Sequence, residues 1–336
     1  MATVQPRRHC MATLSTTYMG LFVRNPLVVS SSNLTAGIDN IKKAVDAGAG
    51  AIVVKSLFEE QIRRDLSAIP VEQLETNPEA QAILDALGSA WGSAEYLQFI
   101  KKAVALAGPV PIIASINCIK NDVWPDFAEQ LEAAGAKALE LNIAPFPKSS
   151  KLQAKEIEDL VVSIVRDVSV RTSLPLSVKL SPYFTNPFAI AERLAGAGAK
   201  AVVLFNRLYR FDFDLKNHRV ISGPAKSGPQ EYHESLRWVS NLYGVVGCEL
   251  VGGTGIHSAE TALKFIAAGA QAVQLCSVLN AGGWNVLGKI RDEMSAQLDA
   301  LGYGSVDEFR GTLSRRANPQ FENYERLQYI KALDSR

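Results

Sequence analysis

The stretch AVDAGAGAIVVK (residues 44–55) joins the end of a helix-like segment to an apolar, strand-like segment through the turn Ala-Gly-Ala. The same turn, again followed by a strand-like run, recurs at residues 134–136, 197–199 and 268–270. A glycine at the end of a helix adopts the left-handed conformation that lets the chain reverse its direction. The repeat therefore predicts units in which each helix returns to a sheet and starts the next strand.

Short apolar runs recur along the whole chain, and helix-like segments with 3.6-residue spacing lie between them. Eight runs are found, at residues 27–31, 51–55, 111–116, 138–142, 175–180, 201–205, 248–253 and 272–276. Their nearly continuous apolar character is typical of parallel strands buried on both faces. Eight such units close most simply into a single-domain (β/α)8 TIM barrel, whose active site lies at the carboxyl ends of the strands. An open doubly wound sheet is the alternative, but no GxGxxG motif follows the first strand.

Composition narrows the class of protein. The chain of 336 residues has 35 Lys and Arg against 34 Asp and Glu, a net charge of +1, which argues against binding to nucleic acid or to a membrane surface. Its cysteines, Cys10, Cys118, Cys248 and Cys276, form no CxxC pair, so we expect no metal site and a reducing compartment. No apolar run reaches membrane-spanning length, and the expected location is the cytoplasm.

The expected organisation is an N-terminal extension (1–15), a barrel (16–315) and a C-terminal helical tail (316–336). A second Met-Ala-Thr begins at Met11, so residues 1–10 are either an upstream start or a disordered extension.

Two connections are too long to be plain crossovers. They follow the second and sixth strands, at residues 56–109 and 206–230. Both leave from carboxyl ends of strands, so we expect them to cover the barrel mouth and shape a substrate pocket. Loops that merely extend over the surface are the alternative.

Polar residues stand where four of the apolar strands end: Lys55, Asn142, Lys179 and Asn206. A lysine near a barrel axis needs an anion or an electron-rich partner, because a buried ammonium without one is costly. Taken singly, each residue could be a snorkelling lysine or a helix-capping asparagine. Their equivalent positions favour a site for an anionic ligand.

A glycine-rich turn, VGGTGI (251–256), ends the seventh strand, and Cys276 and Ser277 end the eighth. Turns of this kind present bare N–H groups, and the loops after strands 7 and 8 are where many barrels bind phosphate. Together with the strand-end lysines, the pattern predicts a phosphorylated cofactor with a reducible ring.

With these residues in place, the sequence resembles the dihydroorotate dehydrogenase family, FMN-containing barrels of the soluble class, over about residues 18–315. The segments that carry the resemblance are NPLVVSSS (25–32), AGAGAIVVKS (47–56), LELNIAP (139–145), VKLSPYF (178–184), LVGGTGI (250–256), GAQAVQLCSVL (269–279) and SVDEFRG (305–311). Their order and spacing, rather than any single one, make the match.

The resemblance implies an FMN site. Ser30 and Ser31 would lie along the flavin ring, and Lys179 would stand at its N1/O2 edge. Asn142 would bond near the ring or the substrate, and Asn206 would follow on the substrate side. The other implied FMN contacts are Lys55 and Ser56 and, at the phosphate, Gly253, Thr254, Gly255, Cys276 and Ser277.

The chain departs from the family pattern on the substrate side. Pro145 occupies the position of the Cys or Ser general base, and Pro147 that of a second Asn. The loop after the second strand offers LGSAWGSAEY (87–96) where an Asn-rich segment is expected, and Arg207 replaces a small hydroxyl residue. This pattern resembles a dihydroorotate dehydrogenase-like subgroup that keeps the flavin site and lacks the usual base.

Other residues could replace the missing base. Cys118 is the first candidate, although such a cysteine also fits a buried packing role, and the others are Tyr183, Tyr209, His218 and His233. Arg207, Arg210, Arg219 and Lys226 could bind a carboxylate or phosphate, or could simply be solvated loop charges.

The leading hypothesis is an FMN-dependent oxidoreductase that transfers a hydride between flavin N5 and a CH–CH bond of a dihydropyrimidine-like small molecule. Activity on dihydroorotate is expected to be altered or weak. One alternative is an inactive FMN-binding or regulatory protein, and another is a barrel aldolase or isomerase in which Lys179 forms a Schiff base. The resemblance also implies a role in pyrimidine biosynthesis and a homodimer, and leaves the electron acceptor open.

Overall fold

The computed structural model describes residues 11–59, 61–62, 92–118, 124–143, 145, 147, 149–207 and 210–318. Its centre is a closed barrel of parallel strands. Going round the barrel these are β4 (Ala51–Val53), β3 (Leu27–Val29), β13 (Ala272–Leu275), β12 (Glu249–Gly252), β9 (Ala199–Leu204), β8 (Leu176–Leu180), β7 (Ala138–Ile143) and β6 (Ile112–Cys118). Pairing of β4 with β6 closes the ring, and the short β5 (Leu57–Phe58) also pairs with β6. The prediction of a (β/α)8 barrel is confirmed.

Helices surround this barrel. In chain order they are α1 (Ile38–Asp46), α2 (Ser93–Ala107), α3 (Trp124–Ala133), α4 (Ala154–Ser169), α5 (Pro187–Gly196), α6 (His233–Leu242), α7 (Ala259–Ala268), α8 (Ser277–Gly282), α9 (Asn285–Ala300) and α10 (Val306–Phe309). A short 3-10 helix, Asn33–Thr35, precedes α1. Within the described ranges, no helix is long and apolar enough to cross a membrane.

The four Ala-Gly-Ala turns behave as predicted. Gly48, Gly135, Gly198 and Gly269 have φ angles of 98°, 94°, 111° and 115°, in the left-handed region. At Gly269 the requirement is also steric, because a Cβ there would lie 2.2 Å from the Tyr243 ring. These turns return each helix to the barrel and so set where the next strand begins.

The barrel interior is apolar at one end and polar at the other. A hairpin of β1 (Thr16–Tyr18) and β2 (Leu21–Val23) packs Tyr18, Met19 and Val23 against the interior residues of the strands. The N–H of Met19 donates to Glu249, the first residue of β12, at 2.7 Å, so the hairpin closes the amino-terminal end. The polar interior residues lie toward the opposite end.

The barrel contacts reach closer to the N-terminus than the predicted boundary at residue 16. Ala12 and Leu14 are buried, and the N–H of Thr13 donates to the carbonyl of Gly304 at 3.0 Å. Residues 1–10, and the predicted tail beyond residue 318, lie outside the described residues. The division into an extension, a barrel and a tail stays a prediction.

The second long connection contains a small hairpin of its own. Strands β10 (Phe211–Asp214) and β11 (Arg219–Ser222) pair antiparallel. The chain then runs back over the rim as a segment we call the strap, residues 222–231, in which Ala225 and Ser227 line a cavity. In the first long connection, residues 60 and 63–91 lie outside the described residues, so LGSAWGSAEY (87–96) is described only from residue 92.

Candidate active site

An open cavity of about 660 Å³, including the space at its mouth, lies at the carboxyl ends of the barrel strands. Its wall contains ten residues that the sequence predicted for the site or noted as a departure there: Ser30, Ser31, Lys179, Asn206, Arg207, Gly253, Thr254, Gly255, Cys276 and Ser277. The fold thus brings together residues that are up to 247 positions apart, since parallel strands all end at one rim.

Lys179 is the centre of a buried polar layer. Its ammonium donates to the Ser30 hydroxyl at 3.0 Å and to Gln274 Oε1 at 2.8 Å, and only 9% of the residue is exposed. Ser30 in turn donates to Gln274 Oε1 at 3.0 Å. Below them, Gln274 Nε2 donates to Glu140, whose other oxygen lies 3.6 Å from the lysine nitrogen. The lysine is therefore held in place and partly neutralised from inside the barrel.

A chain of hydroxyl groups crosses three neighbouring strand ends. Ser31 Oγ lies 3.0 Å from Ser56 Oγ, and Ser56 Oγ lies 2.7 Å from Ser115 Oγ. The Tyr96 hydroxyl donates to the Ser115 carbonyl at 2.9 Å and accepts from its N–H at 3.1 Å. Burial raises the pKa of Tyr96, so this phenol stays neutral and can serve both roles. The arrangement fixes the loop after β4 against the rim.

The two strand-end asparagines contact one another. Asn206 Nδ2 donates to Asn142 Oδ1 at 3.0 Å, and Asn142 lies beside Lys179 in the strand register. Asn206 lines the cavity, which puts an amide next to the lysine. Lys55, two residues after β4, is on the same rim, but like Ser56 and Asn142 it is not among the residues that line the cavity.

The predicted phosphate turn is partly engaged by the protein itself. The Gly253 N–H donates to the Leu204 carbonyl at 2.7 Å, and the Gly255 N–H donates to Ser227 Oγ at 3.2 Å. Ser277 Oγ accepts from the N–H of Ser227 at 2.9 Å. Among the described residues, the N–H of Thr254 has no recorded partner, and its positive φ of 67° belongs to a turn that exposes backbone amides.

The four predicted anion-binding cations do not form one cluster. Arg207 and Arg210 converge on Glu231, at 3.4 and 2.9 Å, and Arg207 Nη1 donates to the carbonyl of Pro224 at 2.6 Å. Burial raises the pKa of Glu231, but the Gly228 N–H and the two arginines outweigh burial and hold it below its ordinary value. Arg219 pairs instead with Asp214 in the hairpin, and Lys226 is exposed. Arg207 thus fastens the strap to the rim.

None of the proposed substitute bases whose side chains the structure describes lines the cavity wall. Among the described residues that line it, none is His, Asp or Glu. Tyr183 is 78% exposed, His218 lies in the turn of the β10–β11 hairpin, and His233 stacks on Tyr232 with ring centroids 4.1 Å apart. The side chain of Cys118 and the whole of Tyr209 lie outside the described residues, so these two predictions are untested.

Sequence reasoning missed Glu140, Gln274, Ser227 and Glu231. The first two could have been found from strand periodicity, because Glu140 lies two residues before Asn142 and Gln274 two before Cys276, on the same strand face. Ser227 and Glu231 carry no such signal, since the path of the strap depends on contacts with distant residues.

A closed (β/α)8 barrel with a hydrogen-bonded lysine and a glycine-rich turn at its carboxyl end places the chain among barrel enzymes that act on small molecules at this rim. Comparison with known proteins narrows the class. The family model for dihydroorotate dehydrogenase matches residues 13–298. The chain belongs to the dihydroorotate dehydrogenase family, which confirms the predicted family and enzyme class, an oxidoreductase acting on a CH–CH group.

Two of three relatives are similar to this chain along almost their whole length. The catalytic subunit of dihydroorotate dehydrogenase B (NAD(+)) from Thermoplasma acidophilum is 27% identical over 310 residues, which are 91% of this chain and 100% of that protein. The subunit of the same name from Desulforudis audaxviator is 29% identical over 303 residues, 88% and 96% of the two chains. That from Bacillus pumilus is 32% identical over 206 residues, 60% and 66%.

Proposed function

We propose that this protein is an FMN-dependent oxidoreductase that transfers a hydride between a CH–CH bond of a dihydropyrimidine-like substrate and N5 of FMN, with altered or weak activity on dihydroorotate. The observation that carries the proposal is the hydrogen-bonded Lys179 in the wall of the rim cavity. It is supported by membership of the dihydroorotate dehydrogenase family.

The donors of the cavity fit FMN. The ring edge of a flavin offers carbonyl and nitrogen acceptors, and the cavity wall supplies the ammonium of Lys179 and the hydroxyl of Ser31 as donors, while the Ser30 hydroxyl, which donates to Gln274, helps to hold the ammonium in place. A phosphate would take the N–H of Thr254 and the hydroxyl of Ser277, which line the same cavity. The full set that would hold FMN is Ser30, Ser31, Lys55, Ser56, Asn142, Lys179, Gly253, Thr254, Gly255, Cys276 and Ser277.

When bound, FMN supplies two-electron chemistry by exchanging a hydride at N5. The protein contributes placement and charge. Lys179 brings a fixed positive charge to the cavity wall, which stabilises negative charge that develops beside it. Asn206, held by Asn142 at 3.0 Å, presents an amide that orients a substrate carbonyl or amide without having to reorganise.

The step of the proposed reaction that lacks an evident catalytic group is removal of a proton from the substrate. A positioned base is worth about 10²–10⁴-fold in rate, and proline cannot supply one at position 145. Because no His, Asp or Glu is among the described residues in the cavity wall, proton removal would depend on water, on Cys118 or Tyr209 as a substitute base, or on a substrate that is easier to oxidise. This is the reason to propose altered or weak activity on dihydroorotate.

The same observation favours a second candidate, a protein that binds FMN without turnover and acts in regulation. Pro145, Pro147 and the Arg207 contact with the strap all alter the proposed substrate side, whereas the residues implied for the cofactor side are all present. Such a protein would be yellow, and no dihydropyrimidine would reduce its flavin.

Two partners and a cellular location are also proposed, each from fewer observations than the activity. The relatives are named as catalytic subunits of an NAD(+) enzyme, so we propose that electrons leave this chain through a partner subunit. A homodimer is proposed from the family resemblance alone, and a cytoplasmic location from the scattered cysteines and the lack of a membrane-spanning apolar run in the sequence.

The deciding experiment is an absorbance spectrum of the purified protein, followed by anaerobic mixing with dihydroorotate and with other dihydropyrimidines. A flavin spectrum that bleaches with a member of this series supports the oxidoreductase. A flavin spectrum that never bleaches supports the binding protein. A protein that neither retains nor takes up FMN contradicts both.

A further inference from the structure

Glu140 is a buried carboxylate that the proposed reaction does not use. It lies inside the barrel on β7, fully shielded from solvent, and is not among the residues that line the cavity. Burying a carboxylate is costly unless it is paired and hydrogen-bonded, and an apolar residue would fill the same place without that cost. The burial of this carboxylate therefore indicates a role beyond packing.

The hydrogen bonds that connect Lys179 to Glu140 through Gln274 can be donated in only one direction, from the ammonium toward the carboxylate. Gln274 donates to the carboxylate through Nε2, while its Oε1 accepts from Lys179 at 2.8 Å and from Ser30 at 3.0 Å. An ammonium can only donate and a carboxylate can only accept, so the amide between them has one allowed orientation. Glu140 thereby fixes, from below, three side chains that do line the cavity.

Glu140 also compensates part of the positive charge of Lys179. Its Oε1 lies 3.6 Å from the Lys179 nitrogen and accepts no hydrogen bond within the described part of the chain. At this distance two opposite charges inside a barrel attract strongly, although the separation is too long for a good hydrogen bond. Beneath them the Tyr18 phenol is fully buried, and burial followed by the charge of Glu140 raises its pKa, so it stays neutral.

We propose that Glu140 is a positioning residue that holds the Lys179 ammonium through Gln274, compensates part of its charge, and so sets the reduction potential of the FMN in the cavity. The inference rests on the proposed FMN site. An uncompensated ammonium would favour the more negative, reduced state of the cofactor. The carboxylate underneath therefore keeps the potential lower than Lys179 alone would.

The first test needs no flavin. Unfolding in denaturant is measured on the FMN-free full chain for the wild type, Glu140→Gln, Lys179→Met and the double variant. Each single variant leaves one buried charge without its partner, so the double variant should lose less stability than the sum of the two. Additive losses would overturn the inference.

The second test measures the midpoint potential of the FMN-loaded protein. Glu140→Gln should shift the oxidised-to-reduced equilibrium at least tenfold toward reduced flavin, about 30 mV for a two-electron couple. Glu140→Asp, which keeps the charge, should stay closer to the wild type. Glu249→Gln is the matched control, because it removes a carboxylate from the opposite end of the barrel, and should leave the potential unchanged.

The two tests separate the inference from the proposed function. A wild-type protein that takes up no FMN contradicts the proposed function, and the unfolding cycle then decides by itself whether Glu140 and Lys179 are coupled. A flavin-loaded protein in which Glu140→Gln leaves the potential unchanged, or Glu249→Gln shifts it equally, overturns the inference and leaves the proposed function standing.

Discussion

The two sides of the rim cavity differ in how they are built. The proposed cofactor side, around Lys179 and Ser30, is a network in which ammonium, hydroxyl and amide groups hydrogen-bond to one another inside the barrel. The proposed substrate side is held by Arg207, whose guanidinium contacts the carbonyl of Pro224 and the carboxylate of Glu231 on the strap. The first side therefore depends on residues of the barrel strands, and the second on a connection between strands.

The largest expected effect is a faster reduction of the flavin when the missing base is restored at position 145. In Pro145→Cys, a thiolate would stand where the family has its general base, and dihydroorotate should reduce the flavin about 10²–10⁴-fold faster. Anaerobic stopped-flow absorbance measures the rate. Pro145→Ala is the control, since it removes the proline without adding a proton acceptor. Equal rates in the two variants would show that proton removal does not limit the reaction.

Removing the positive charge of Lys179 should have the opposite effect and slow the reduction of the flavin. Lys179→Met takes away the ammonium that stabilises developing negative charge, and flavin reduction by the best substrate should slow about 10²–10³-fold. The same stopped-flow assay, together with FMN retention on gel filtration, measures it. Lys200→Met, at an exposed position near the start of β9, is the control. Wild-type rates in Lys179→Met would remove the lysine from the mechanism.

The meeting of polar strand-end residues at one rim was predictable from the sequence, and the path of the strap was not, for physical reasons. Lys179 and Asn206 break apolar strands at their carboxyl ends, and barrel closure brings such breaks together wherever they lie in the chain. Glu140 lies two residues before Asn142 in LELN, so strand periodicity could have placed it on the same strand face, but its partners across the barrel, Gln274 and Lys179, could not be read from that local pattern. The strap path depends on Ser227 reaching Ser277, a contact that no local pattern encodes.

Loosening the strap should have a moderate effect on the KM for dihydroorotate. Arg207→Ser restores the small hydroxyl residue of the family pattern and removes the contacts to Pro224 and Glu231, which makes room on the substrate side. The KM for dihydroorotate should fall about tenfold, or about 1.4 kcal/mol, with a smaller change in kcat. Arg210→Ser is the control, because its ion pair with Glu231 is 57% exposed on the arginine side and worth at most about 1 kcal/mol. An unchanged KM in Arg207→Ser would mean that the arginine does not limit substrate entry.

The smallest expected effect is a dependence of the strap on pH. The pKa of Glu231 is lower in the folded protein than its ordinary value of about 4.3, because the Gly228 N–H, Arg207 and Arg210 outweigh the opposite effect of burial. A group with a lowered pKa stabilises the fold above its ordinary value, and this contribution disappears as the pH falls through the lowered value. The hydrogen-exchange protection factors of residues 222–231, which are rates corrected for the intrinsic pH dependence of amide exchange, should therefore stay constant at neutral pH and fall only in acid. Since Glu231 is partly exposed and screened, the change should correspond to no more than about 1 kcal/mol. Glu231→Gln should have lower protection factors at neutral pH and should not lose further protection in acid. The same profile in variant and wild type would show that the strap is held by its contacts to Ser277 and not by this carboxylate.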